Sequence, residues 1–68
     1  MKIKPLKLYY CPDRPGVDDV DAALKIARNE DCYVRIEYSV FGYHYSVFVD
    51  PSKTFNDAYK QIPDVFGM

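Results

Sequence analysis

Between Tyr33 and Asp50 the chain reads YVRIEYSVFGYHYSVFVD, an alternation with a period of two that is interrupted once, at Gly42. Val34, Ile36, Tyr38 and Val40 fall on one side, and Tyr33, Arg35, Glu37 and Ser39 on the other. After the glycine, Tyr43, Tyr45, Val47 and Val49 share one side, and His44, Ser46, Phe48 and Asp50 the other. β-Branched and aromatic residues at this period specify strands. A glycine between two strands supplies the positive φ of a tight turn.

The pattern also specifies a register. A turn at Phe41-Gly42 sets Val40 opposite Tyr43, Tyr38 opposite Tyr45, Ile36 opposite Val47 and Val34 opposite Val49, all on one face. The other face then pairs Ser39 with His44, Glu37 with Ser46, Arg35 with Phe48 and Tyr33 with Asp50. Slipping by one residue would set Arg35 and Glu37 against apolar partners. Phe41 is an awkward first residue for a two-residue primed turn, which needs positive φ there. A four-residue loop over Val40 to Tyr43 keeps the same pairing, so register is more strongly specified than turn type.

Upstream, residues 2–10 read as a first strand, with Leu6, Leu8 and Tyr10 alternating with Lys7 and Tyr9. Pro5 cannot donate to a ladder, so the strand starts late or has a free edge there. Cys11 to Gly16 (CPDRPG) is a loop by its turn residues. A helix follows from an Asp18 N-cap, with Asp19 and Asp21 in the first turn, where the dipole favours negative charge. Val20, Ala23, Leu24 and Ala27 form its apolar stripe, and Asn29 is suited to a left-handed stop. Roughly twelve helical residues span about 18 Å, enough to return the chain across a sheet as a right-handed crossover.

Downstream, Thr54 and Asp57 have capping-box spacing, with Asp in place of the usual Glu. Phe55, Ala58, Tyr59 and Ile62 continue a helical stripe that Pro63 ends. The segment 64–68 is either loose or, through Val65 and Phe66, a cap on the core. The order is β-α-β-β-α in one domain, residues 1–68. The expected fold class is α+β: a three-stranded, largely antiparallel sheet with one or two helices on the Val34/Ile36/Tyr45/Val47 face. With the crossover, the first strand either pairs parallel to the second or lies antiparallel beside the third; the latter is preferred, as a truncated ferredoxin-like arrangement.

Length and composition narrow the function. A 68-residue chain buries only roughly 60% of its unfolded surface. Seven tyrosines without tryptophan suit surfaces that are apolar yet wettable. The net charge of −1 lacks the basic excess of a general nucleic-acid binder, although Lys2, Lys4, Lys7 and Arg14 crowd the start. No apolar run approaches a membrane span or signal core, so a cytoplasmic protein is expected.

Candidate chemistry is sparse. Cys11 precedes the helix by too many residues for its dipole to activate a thiol, and no second cysteine stands at C-x-x-C spacing. Cys32 should lie at the opposite end of the sheet from Cys11, so two free thiols are expected. His44, the one histidine, faces Ser39 with no carboxylate opposite, which leaves no triad. Asp13, Asp18, Asp19 and Asp21 lack calcium-loop spacing, and helix capping accounts for Asp18 and Asp21. No cofactor or metal is therefore expected. Gly42 to Phe48 (GYHYSVF) is similar to the third-strand signature of RNA-recognition motifs in its glycine followed by alternate aromatics. No basic residue precedes Gly42, and Tyr43 and Tyr45 belong to the inward set, so membership of that family is not drawn.

These readings lead to a non-enzymatic protein-binding module, monomeric or homodimeric. Its expected contact surface is the open sheet face: Tyr9, Tyr33, Arg35, Glu37, His44 and Phe48. Size and the lack of enzyme motifs suggest a stoichiometric inhibitor or adaptor of phage or mobile-element type that disables a host complex, such as a defence system. The rival is a single-stranded nucleic-acid-binding domain using the same face.

Overall fold

The computed structural model describes residues 3–63. The segment 64–68, with Val65 and Phe66, lies outside the described residues. Five elements follow in chain order: β1 (Leu6–Tyr10), α1 (Val17–Glu30), β2 (Tyr33–Val40), β3 (Tyr43–Val49) and α2 (Phe55–Tyr59). They form a small α+β fold with a three-stranded mixed sheet. Among the described residues no helix is long and apolar enough to cross a membrane.

The hairpin adopts the register that the alternation specifies, from Val34 opposite Val49 to Val40 opposite Tyr43. The turn itself is the tight one. Phe41 and Gly42 have φ of 53° and 82°, the pair of positive values a type I′ turn requires. Burial alternates without exception along β2, whose Val34, Ile36, Tyr38 and Val40 are buried. They join Val47 and Val49 of β3 and Val20, Ala23, Leu24 and Ala27 of α1 in one core, closed by Ala58 and Ile62. Both helices therefore cover the same sheet face.

The helix boundaries shift slightly from expectation. α1 begins at Val17 after a Gly16 N-cap, two residues earlier than an Asp18 cap would set it. Asp19 is the residue that caps: its carboxylate accepts from the Gly16 N–H at 3.0 Å. The helix ends at Asp31, not Asn29, with Asp31 in the left-handed conformation at φ 50° and the Cys32 N–H bonded to the Ala27 carbonyl. α2 is a short helix with the expected capping box. The Asp57 N–H donates to Thr54 Oγ1, and Asp57 Oδ2 accepts from the Thr54 N–H. Hydrogen bonds from Ser52 and Thr54 hold the Asp50 and Asp57 carboxyls below the usual carboxylate range.

Two expectations about β1 are overturned. The strand order is β1-β2-β3, with β1 parallel to β2. The sheet is thus mixed rather than largely antiparallel, and β1 does not lie beside β3. The place that β1 would have taken is occupied at one residue, Phe48. The Gln61 side-chain amide sits on the outer edge of β3, accepting from the Phe48 N–H at 3.0 Å and donating to the Phe48 carbonyl at 2.7 Å. The α1 crossover instead delivers the chain to the strand adjacent to the one it left.

The second correction concerns phase. Leu8 pairs with Arg35 and Tyr9 with Ile36, so Leu6, Leu8 and Tyr10 lie on the open face while Lys7 and Tyr9 lie on the helix face. The reason is α1. Tyr9 donates its hydroxyl to Asp19 at 3.2 Å, and Lys7 pairs with Glu30. Burial and the Asp19 carboxylate raise the Tyr9 hydroxyl pKa, and Glu30 raises that of Lys7. At the sheet margin, where α1 presents carboxylates rather than its apolar stripe, two side chains with polar tips fit better than leucines.

Candidate functional site: the open sheet face

The face without helices carries three rows of side chains. β1 contributes Leu6, Leu8 and Tyr10; β2 contributes Tyr33, Arg35, Glu37 and Ser39; β3 contributes His44, Ser46 and Phe48. Side chains opposite one another on neighbouring strands share a face, so Leu8, Arg35 and Phe48 form one transverse line across the sheet. Leu6 is 48% exposed, Leu8 45%, Tyr10 70% and Phe48 45%. These exposed apolar groups lie on the two outer strands, β1 and β3, with Tyr33 and the Arg35–Glu37 pair of β2 between them.

The charges at its centre cancel. Arg35 Nη2 lies 2.7 Å from a Glu37 carboxylate oxygen, the i, i+2 neighbours of a strand meeting on one face. Arg35 Nε is buried and makes no hydrogen bond among the described residues. Phe48 packs on Tyr33, with ring centroids 5.0 Å apart, and Lys4 Nζ stands 5.8 Å from the Tyr33 centroid. At the turn end, Ser39 Oγ and His44 Nδ1 are 3.4 Å apart, the cross-strand pair the register implies.

Of the six residues expected on this face, Tyr33, Arg35, Glu37, His44 and Phe48 are brought together there. Tyr9 is not: it lies on the opposite face against α1. Leu6, Leu8 and Tyr10, which the sequence reading set in alternation with Tyr9, take part instead. The alternation of β1 was visible but its phase was not, because no residue in the strand marks which set meets the helix.

The thiols are not part of this patch, although Cys11 borders it near Tyr10, Glu37, Ser39 and His44. Cys11 and Cys32 are both free and buried. Cys11 lines a hollow of about 280 Å³ with Tyr38, His44 and Tyr45. Burial first, and Asp19 second, push the Cys11 thiol pKa up, so the thiol form is favoured over the nucleophilic thiolate. Tyr38 stacks on Tyr45 at 5.3 Å, and its buried hydroxyl has no hydrogen-bond partner among the described residues. The acidic residues at the start of α1 are engaged locally: Asp19 with Gly16 and Tyr9, Asp21 with Lys25. Among the described residues no three His, Cys, Asp or Glu side chains are grouped to hold a metal ion.

No family model, curated protein or solved structure matches this chain.

Proposed function

We propose that the protein is a non-enzymatic protein-binding module that uses the open sheet face. The supporting observation is the patch of Leu6, Leu8, Tyr10 and Phe48 around the Arg35–Glu37 ion pair. Aromatic and arginine anchors set among apolar neighbours are the composition of contact hot spots. The neutral centre fits a partner surface that is apolar with a few polar groups, rather than a phosphate backbone. Within this reading, a small stoichiometric inhibitor or adaptor, of the kind phages and mobile elements direct at host complexes, agrees with the chain's length and its lack of enzyme motifs. A cytoplasmic site of action belongs to the same proposal.

The test is affinity capture of a partner followed by calorimetric titration of variants at two salt concentrations. Phe48→Ala and Arg35→Ala should each weaken binding by about 1–3 kcal/mol while the fold survives. A single-stranded nucleic-acid binder would instead lose affinity steeply with salt and respond most to Lys4. Unchanged affinity for both variants would move the contact surface off this face.

A further inference from the structure

The two margins of the sheet differ in their backbone. In the β1–β2 ladder, Tyr33 N–H donates to the Pro5 carbonyl and Cys11 N–H donates to the Glu37 carbonyl, both at 2.9 Å. Parallel pairing between these two bonds turns the amides and carbonyls of Lys7 and Tyr9 toward β2. Those of Leu6, Leu8 and Tyr10 consequently point away from the sheet, along its outer margin. The same three residues also expose their side chains. Among the described residues β1 thus combines an unpaired backbone edge with apolar side chains, the combination that templates strand addition.

We propose that this edge binds a second copy of the chain, β1 against β1 in antiparallel register about a twofold axis at Leu8. The β1 edge is self-complementary in that register. Leu8 meets Leu8 of the second copy, and Leu6 meets Tyr10. All of these are residues whose backbone groups point outward, so each pair exchanges both of its N–H···O=C bonds. Their side chains meet on the open face as one apolar row. On the helix face Lys7 comes opposite Tyr9 of the second copy, whose hydroxyl is bonded to Asp19. Lysine on an edge strand usually guards against pairing; here it meets an acidic neighbourhood instead of a like charge.

The assembly closes at two copies. The opposite margin of the sheet is covered at Phe48 by the Gln61 amide, so β1 of a further copy cannot pair along the whole of the β3 edge. A β1–β1 contact is isologous and uses up the site on both chains. The result is a six-stranded sheet with two open faces joined side by side. The dimer is carried by the backbone edge of β1 and the protein-binding reading by the open face, and the two share the exposed Leu6, Leu8 and Tyr10 side chains.

The test measures mass by sedimentation equilibrium over a dilution series, together with amide hydrogen exchange at each concentration. The expected result is twice the monomer mass at high concentration, with the Leu6, Leu8 and Tyr10 amides slowing in step with dimer formation and the Ser46 amide unaffected. Leu8→Lys sets two like charges directly opposite across the axis and should raise the dimer dissociation constant about tenfold or more. Leu8→Pro removes an N–H that β2 does not use and should abolish the dimer. Exchange at Ile36 and Val47 then confirms that the hairpin is intact. A mass that stays monomeric, protection at Leu8 that does not vary with concentration, or a dimer indifferent to both substitutions would each overturn the proposal. Phe48→Ala separates the two readings, since it should weaken partner binding and leave the dimer constant unchanged.

Discussion

β1 and β3 flank the same central strand, both alternate apolar and polar residues, and they behave in opposite ways. β3 turns Val47 and Val49 into the core and its outer edge is covered at Phe48 by Gln61. β1 turns Leu6, Leu8 and Tyr10 outward, engages α1 with Lys7 and Tyr9, and among the described residues leaves its outer edge bare. β3 is tied to β2 by a two-residue turn, so its phase follows from the hairpin register. β1 is tied to β2 through a fourteen-residue helix, and nothing local couples its phase to the rest. Alternation specifies that a strand has two faces; only a connection or a packing partner specifies which one is inside.

That contrast can be broken in several ways. The largest effect belongs to the core. Val47→Ala on β3 should destabilise by about 2 kcal/mol, and Ile36→Ala on β2 by about 3 kcal/mol, since both side chains are fully buried between sheet and helices. Leu8→Ala on β1 should cost well under either. Urea denaturation at a concentration where the protein is monomeric checks the ranking, and a Leu8→Ala cost equal to that of Val47→Ala would reverse the assigned phase of β1.

Gln61→Ala comes next. It removes both hydrogen bonds to the Phe48 backbone, each worth about 1 kcal/mol at most in a solvated setting. Hydrogen exchange at Phe48 should accelerate, and the second bare edge should make the variant associate beyond a dimer. If Phe48 exchanges at the wild-type rate, the cover on β3 is not what distinguishes the two edges.

Tyr9→Phe sharpens the comparison within β1 itself. Loss of the hydroxyl bonded to Asp19 should cost about 1 kcal/mol, whereas Tyr10→Phe, one residue along on the open face, should cost close to nothing. Equal effects in paired melts would mean that α1 does not set the phase.

The smallest effect is the pH dependence of the α2 cap. Asp57 has a folded-state pKa below the unfolded one, because the Thr54 N–H and hydroxyl donate to its carboxylate. Its stabilisation is therefore present above the unfolded pKa of about 4 and is lost as pH falls through the lowered folded value. The melting-temperature gap between the protein and Asp57→Asn should be largest near neutrality and should narrow on acidification. A gap that widens toward acid pH would contradict the cap.

The hairpin was legible because its information is local: Gly42 marks the turn, and Arg35 and Glu37 forbid the slipped register. Five of the six face residues followed from that register alone. Tyr9 was misplaced, and Leu6, Leu8, Tyr10 and Gln61 were missed, for a common reason. Each is assigned its role by a group distant in the chain: Asp19 for Tyr9, the Phe48 backbone for Gln61.

By itself the amino-acid sequence determined the element order, the pairing of β2 with β3, the two helical stripes and the capping of α2 by Thr54 and Asp57. These rest on periodicity, turn chemistry and hydrogen bonds over three or four residues, which a short window contains. Only the tertiary structure decided that β1 lies parallel beside β2, that its leucines face outward, and that among the described residues one sheet edge is covered at Phe48 while the other is bare. Those outcomes depend on where α1 sets its carboxylates and where Gln61 arrives after α2. Such through-space contacts exist only once the chain has closed on its core.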